Sequence, residues 1–169
     1  LGAASAVPTP LLTAPIDFTN VAWGKAGVGT GIAPVVTSED TTGPFVGTLA
    51  DKIDFDRGVG NTVGDYSTLI ETNITTSAQQ YTGNVYLKAA TGGDVGKQIG
   101  FRHISVGSYA PVITLTADWV RYNRVETSAG GAKSFDLTNR GTVTADNTVS
   151  VHAWGANLYA GNIEYPVIT

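Results

Sequence analysis

The chain contains no cysteine and no methionine, has only two histidines, and carries charge at just 14% of its 169 positions. Without cysteine there is no disulfide, no thiolate zinc site and no cysteine nucleophile, and the redox compartment stays open. The ten Lys and Arg residues never adjoin one another, and the net charge is −4. Binding to nucleic acid by counterion release needs a clustered basic face, so a nucleic-acid partner is excluded. No apolar run approaches the roughly 18–20 residues of a membrane-spanning helix, which argues against a membrane partner. What is present is Gly at 21 positions, with Thr and Val throughout. That mix disfavours helices and favours strands and turns. The length suits one domain, which buries roughly 70% of its unfolded surface.

The opening LGAASAVPTPLL begins on Leu rather than Met and lacks both a basic n-region and a continuous apolar core. It is read as part of a longer or processed chain, not as a signal peptide. Three prolines within Leu1 to Pro15 predict an extended arm or linker (1–15), apart from a domain at 16–169. Such an arm suits docking on a neighbouring subunit.

Strand periodicity is clearest over Gln80–Ala89. Tyr81, Val85, Leu87 and Ala89 point inward, and Thr82, Asn84, Tyr86 and Lys88 outward. Gly83 leaves a space over which a neighbouring aromatic is expected to lean. Near the end of the chain, Val149 and Val151 share one face while Trp154, Ala156 and Leu158 share the other parity. The apolar set therefore changes face near Ala153, and Gly155 suits a bulge that re-aims the side chains. Further strands are expected around Ile53, Leu69–Ile70, Ile99–Ile104 and Phe135–Leu137. Gly24 to Gly47 reads as irregular strands and a long loop, and Ala129-Gly130-Gly131 as a hairpin turn. Turn signals at this interval predict an all-β chain, a jelly-roll β-sandwich of two antiparallel sheets preceded by the arm.

No residue set nominates an enzyme. His103 and His152 accompany no nucleophile-elbow sequence and are expected as ordinary surface or half-buried strand residues. Asp and Glu fall mostly in loops, so no pair is nominated for glycoside cleavage. Asp51, Asp54, Asp56 and Asp65 are the candidate oxygen ligands for a structural calcium, although their spacing is not that of an EF-hand and loop acids are commonly just solvated. Trp23, Tyr86, Tyr109 and Tyr159 are candidates for stacking on sugar rings, which needs two or more exposed coplanar rings. Trp119 and Trp154 read more simply as core. Tyr86, with Asn84 and Lys88 beside it, is the strongest surface candidate, for a glycan or for a subunit contact.

Several segments carry a resemblance. They are Leu11-Leu12, Asp17-Phe18-Thr19-Asn20, Trp23-Gly24-Lys25, Ala50-Asp51-Lys52-Ile53, Gln80–Ala89, Trp119-Val120-Arg121-Tyr122, and Trp154-Gly155-Ala156-Asn157-Leu158 with the Tyr165–Thr169 ending. In order and spacing they resemble the carbohydrate-binding-module-like jelly-roll domains of bacteriophage tail, fibre and head-decoration proteins. Gly83, Asn157 and Tyr159 stand where that pattern has Phe, Gln and an acid. The resemblance implies a non-enzymatic virion-surface protein that binds capsid or tail subunits and forms a homo-oligomer such as a trimer. A carbohydrate-binding module for host-surface or polysaccharide glycan is the alternative, and an accessory domain of a glycan-degrading enzyme a third.

Overall fold

The structure, a computed structural model, describes residues 9–60, 62–104, 112–142 and 147–163. Among the described residues eight strands make up the fold: β1 (Trp23–Val28), β2 (Ile32–Thr42), β3 (Leu49–Asp56), β4 (Tyr66–Ala89), β5 (Gln98–His103), β6 (Val112–Thr114), β7 (Val120–Thr138) and β8 (Thr148–Ala160). Among the described residues the only helical element is a single 3-10 turn at Gly92–Asp94. The run containing Pro166, and Tyr109, lie outside the described residues.

Two long strands build the sandwich. The first part of β4 lies between β1 (Tyr66 opposite Val28) and the end of β7 (Leu69 opposite Leu137). Its last part lies between β8 (Leu87 opposite Ala153) and the start of β7 (Leu87 opposite Val120). Bending the β4–β7 pair therefore folds one antiparallel ladder into two layers. One layer is β1-β4-β7-β5-β6, the other β2-β3-β8-β4-β7. The chain is thus all-β, a jelly-roll β-sandwich. Periodicity suggested two separate strands over 66–89 and a reversal at Gly130-Gly131. Instead both glycines sit inside β7 with φ of 90° and 86°, a region that penalises side chains, and they bend the strand without reversing it. β4 bends at a bulge between Glu71 and Ile74, where Asn73 has φ 62°. The Gly24–Gly47 stretch, expected as irregular strands and a long loop, forms β1 and β2, and β2 carries register shifts between Ile32 and Val35 and between Thr37 and Thr41.

The core lies between the layers. Leu69, Phe101, Phe135 and Leu137 meet Ile53, Phe55, Val85, Leu87, Val149 and Val151, each at most 4% exposed. Burying one such side chain stabilises the fold by about 1.5–3 kcal/mol. Tyr81, Val85, Leu87 and Ala89 face inward as the alternation predicts. The ring that leans over Gly83 is His103: a Cβ at 83 would lie 2.3 Å from its Cδ2.

The segment up to Pro15 does not stand apart from the core where it is described. Leu12 and Ala14 are buried in the core cluster. Leu11 N–H donates to Leu158 C=O (2.8 Å) and Ala156 N–H to Pro15 C=O (2.8 Å). The cause lies in β8, whose pairing with β3 ends at Ala153 opposite Asp51. Beyond that point its edge amides need other partners, and residues 11–15 supply them.

Candidate functional site

The outer face of the β2-β3-β8-β4-β7 layer collects the side chains that the core does not use. On β4 these are Thr82, Asn84, Tyr86 and Lys88. Register places Asn123 beside Asn84 and Arg121 beside Tyr86 on β7. On β8 it places Asn157 beside Asn84, Trp154 beside Tyr86 and His152 beside Lys88. Between Asn84–Asn157 and Tyr86–Trp154 the β8 side holds one extra residue, and Gly155 there has φ 62°. This bulge lets Val151 and Ala153 face the core before it and Ala156 and Leu158 after it. Trp154 and Asn157 consequently face outward. That one residue puts Trp154 on the face opposite Ala156, since a single-residue shift sends a side chain to the other side, yet the ring is buried as expected, at 6% exposure, outside the main core cluster.

The turn between β2 and β3 brings a further ring. Gly43 N–H donates to Thr48 C=O (2.8 Å), and the Thr48 hydroxyl donates to Phe45 C=O (2.7 Å). Phe45 thereby lies 5.4 Å from Tyr86 and 5.3 Å from Trp154, and those two rings are 5.8 Å apart. Interplanar angles of 63–78° make the trio an edge-to-face corner in place of the coplanar platform expected of sugar-stacking rings. Trp119 is half-buried, not core. Lys88 Nζ sits 5.1 Å from its ring centroid, and the His152 ring is 6.5 Å away. His152 Nε2–H donates to the Asp40 carboxylate (2.8 Å), tying the end of β2 across the sheet.

Trp154 also lines a cavity of about 500 Å³, whose other walls include Ile16, Asp17, Thr19, Glu39 and Asp51. The Thr19 hydroxyl donates to Asp17 and holds its carboxyl below the usual range. Asp51 is fully engaged: Phe18 N–H and Glu39 N–H each donate to one of its oxygens, at 2.8 and 2.9 Å.

At the other end of the aromatic corner lie polar groups without partners. Asn84 is fully buried, and among the described residues neither its Oδ1 nor its Nδ2 has a hydrogen bond. The Arg121 guanidinium rests 5.8 Å from the Tyr86 ring centroid, with Nε and Nη2 unbonded. Burial raises the Tyr159 hydroxyl above its ordinary pKa, and the nearby positive charge of Arg121 opposes that shift.

Of the four contact candidates, Asn84, Tyr86 and Lys88 share this face. Trp23 does not. It is 2% exposed, packed 5.1 Å from Phe18 and 5.9 Å from Phe135, with Nε1–H donating to Ala14 C=O (2.8 Å). The four calcium candidates are not brought together. Asp51 is engaged as described, Asp54 pairs with Lys52 and Ser150, and Asp56 accepts from Gly58 N–H. Asp65 accepts from the Thr62 hydroxyl and from the Thr62 and Thr30 amides, which hold its carboxyl down at about 2. Among the described residues no group of three or more His, Asp or Glu side chains is gathered for a metal ion. Nor are the histidines surface residues. His103 is fully buried beside Phe101 and Phe135, and burial together with the Arg124 charge pushes it down to about 4. Its Nε2–H donates to Arg124 C=O (3.0 Å), which leaves no role in proton transfer on the outer face.

Sequence reasoning missed Trp154, Trp119, Phe45 and Arg121 as members of the face. Arg121 could have been found by pairing the Trp119–Tyr122 strand with Gln80–Ala89.

No family model matches the sequence, and no curated protein matches it. Solved structures do match in fold. One comes from a study of promiscuous specificity in carbohydrate-binding modules of the β-sandwich superfamily (TM-score 0.56, 10% identity, 92% of this chain and 63% of that one). Another is the module TmCBM61 in complex with β-1,4-galactotriose (TM-score 0.54, 13% identity, 90% and 99%). A third is the enzymatically active domain of bacteriophage CBA120 tailspike protein 4 (TM-score 0.55, 10% identity), of which the chain spans 21% and which covers 91% of this chain. The fold is therefore the one used by carbohydrate-binding modules, and it occurs also within a phage tailspike.

Proposed function

We propose that the protein is a non-catalytic carbohydrate-binding module and that glycan binds on the outer face of the β2-β3-β8-β4-β7 layer. The observation that carries this reading is the corner of Phe45, Tyr86 and Trp154 set beside the unpartnered Asn84 and Arg121. Apolar ring surface next to a few unsatisfied polar groups is the usual chemistry of a site for a small polar ligand. The fold shared with carbohydrate-binding modules supports the assignment.

A glycan array, followed by calorimetry with the soluble hits, tests it. Tyr86→Ala should weaken binding at least tenfold while leaving the melting temperature within a few degrees, since Tyr86 is half-buried and outside the core cluster. An array silent for the folded protein overturns the reading. The fold likeness to a tailspike domain favours one second reading, a virion-surface subunit that docks on capsid or tail proteins and assembles as a homo-oligomer. Saturable binding to virus particles together with a silent array would select it.

A further inference from the structure

The unpaired cations on this face point to the charge of the ligand. Arg121 and Lys88 both lie on it, and neither meets a carboxylate among the described residues, although acids outnumber bases in the chain and four of the other eight cations are paired with acids. Lys52 pairs with Asp54, Lys97 with Asp94, Arg102 with Asp136 and Arg124 with Glu126. The contact of Lys88 with the Trp119 ring and that of Arg121 with the Tyr86 ring use the faces of the rings and leave the N–H donors unspent. Arg121 is the more telling of the two. Its Nε and Nη2 form the edge that matches a carboxylate with two parallel N–H···O bonds, and both nitrogens are sheltered and unbonded. Directly along β4, two residues from Tyr86, the fully buried Asn84 offers an unpartnered amide donor and an unpartnered carbonyl acceptor. A buried polar group left without a partner is costly, so three such donors in one place mark where an absent partner belongs.

We propose that Arg121, backed by the buried Asn84, forms a subsite for the carboxylate of an acidic sugar, so that the module recognises uronic- or sialic-acid-containing glycans over neutral ones. The inference rests on the glycan-binding reading of the same face. The carboxylate takes the Nε–Nη2 edge of Arg121 and the sugar ring lies against the Tyr86 corner, while the fully buried Asn84 sits beneath the site. Because Arg121 is half-exposed and held by the Tyr86 ring without an ion pair, rotation about its terminal torsions turns the sheltered edge toward a ligand. Lys88 adds charge without geometric selectivity. The net charge of −4 repels polyanions from the rest of the surface, so affinity for one must come from a local site.

The test uses the full chain against polygalacturonate, alginate, hyaluronan and polysialic acid, each beside its carboxyl-reduced form, with dextran sulfate as a bulk polyanion. At least one acidic polymer should bind tenfold or more tightly than its reduced form and than dextran sulfate. Arg121→Gln should abolish that preference while retaining the weaker neutral binding, and Arg121→Lys should restore only part of it. Equal binding of acidic and reduced forms, or equal loss on both in Arg121→Gln, overturns the subsite and leaves the glycan-binding reading standing. Binding of dextran sulfate as tight as that of the acidic polymers, or a preference lost in Lys88→Gln and kept in Arg121→Gln, overturns it as well. No binding to any polymer, acidic or neutral, overturns both.

Discussion

Gly83 and His103 occupy a single space: a Cβ on residue 83 would stand 2.3 Å from Cδ2 and 2.6 Å from Cγ of the His103 ring. The ring cannot retreat, because it is fully buried between Phe101 and Phe135 and anchored through Nε2–H to Arg124 C=O. Gly83→Ala is therefore expected to destabilise the fold by about 1–3 kcal/mol through overpacking. His103→Ala opens the space, so the double variant should lose less than the sum of the single ones. Denaturant midpoints for the four proteins check this, and strict additivity would show that the two residues do not share the space.

The same burial makes stability depend on pH. His103 titrates at about 4 when folded and at its ordinary 6.5 when unfolded. Above pH 6.5 both states are neutral and the full stability is present. As pH falls from 6.5 toward 4 only the unfolded chain takes up the proton, so stability is lost across that window, by up to roughly 3 kcal/mol. The Asp65 carboxyl, held down at about 2 by the Thr62 and Thr30 donors, has the opposite kind of reference and acts lower. Its contribution is intact above the ordinary 3.8 and lost as pH falls toward 2. Urea midpoints measured from pH 8 to 3 should be level to about 6.5 and then decline, and His103→Gln should flatten the part between 6.5 and 4.

Trp23 and Tyr86 should separate stability from binding. Trp23 packs on Phe18 and Phe135 and donates to Ala14 C=O, so Trp23→Ala is expected to cost about 3–5 kcal/mol. Glycan affinity of the protein that remains folded should be unchanged. Tyr86→Ala should do the reverse. Thermal melts and calorimetry on the two variants decide it, and a binding loss in folded Trp23→Ala would mean that the site has been assigned to the wrong face.

Much of the fold could be read from local pattern, because the inward Val85, Leu87 and Ala89 and the outward Asn84, Tyr86 and Lys88 alternate with period two. Gly155 marked the bulge, and Gly83 marked the place where a ring would lean. The strand bringing that ring was not readable, since β4 does not pair with β5 and meets His103 only across the sandwich. Nor could the sequence place the extra residue of β8 after Trp154, and that placement decides which side of the sheet the buried Trp154 ring packs on. Gly130-Gly131 misled for a related reason: positive φ serves a reversal and a bend alike. Trp23 differs from Tyr86 only through distant partners, Phe18, Phe135 and Ala14. The orphaned edge of Arg121 became visible only once β7 was registered against β4.

Phe45 belongs to the site without belonging to the core. It is 49% exposed at a turn whose shape is held by Thr48, not by its own ring. Its contacts with Tyr86 and Trp154 are edge-to-face, each worth about 0.5–1.5 kcal/mol, and part of that is returned by solvating the ring. Phe45→Ala should therefore lower stability by no more than about 1 kcal/mol. Its effect on binding should be larger, since it removes one wall of the corner and lets Tyr86 turn away from the ligand. Thr48→Val keeps the ring but removes the hydroxyl that donates to Phe45 C=O, and it should reproduce part of the loss by letting the turn shift. Calorimetric titration of both variants with the best glycan measures this. Full affinity in Phe45→Ala would restrict the contact surface to Tyr86, Trp154 and the groups on β7.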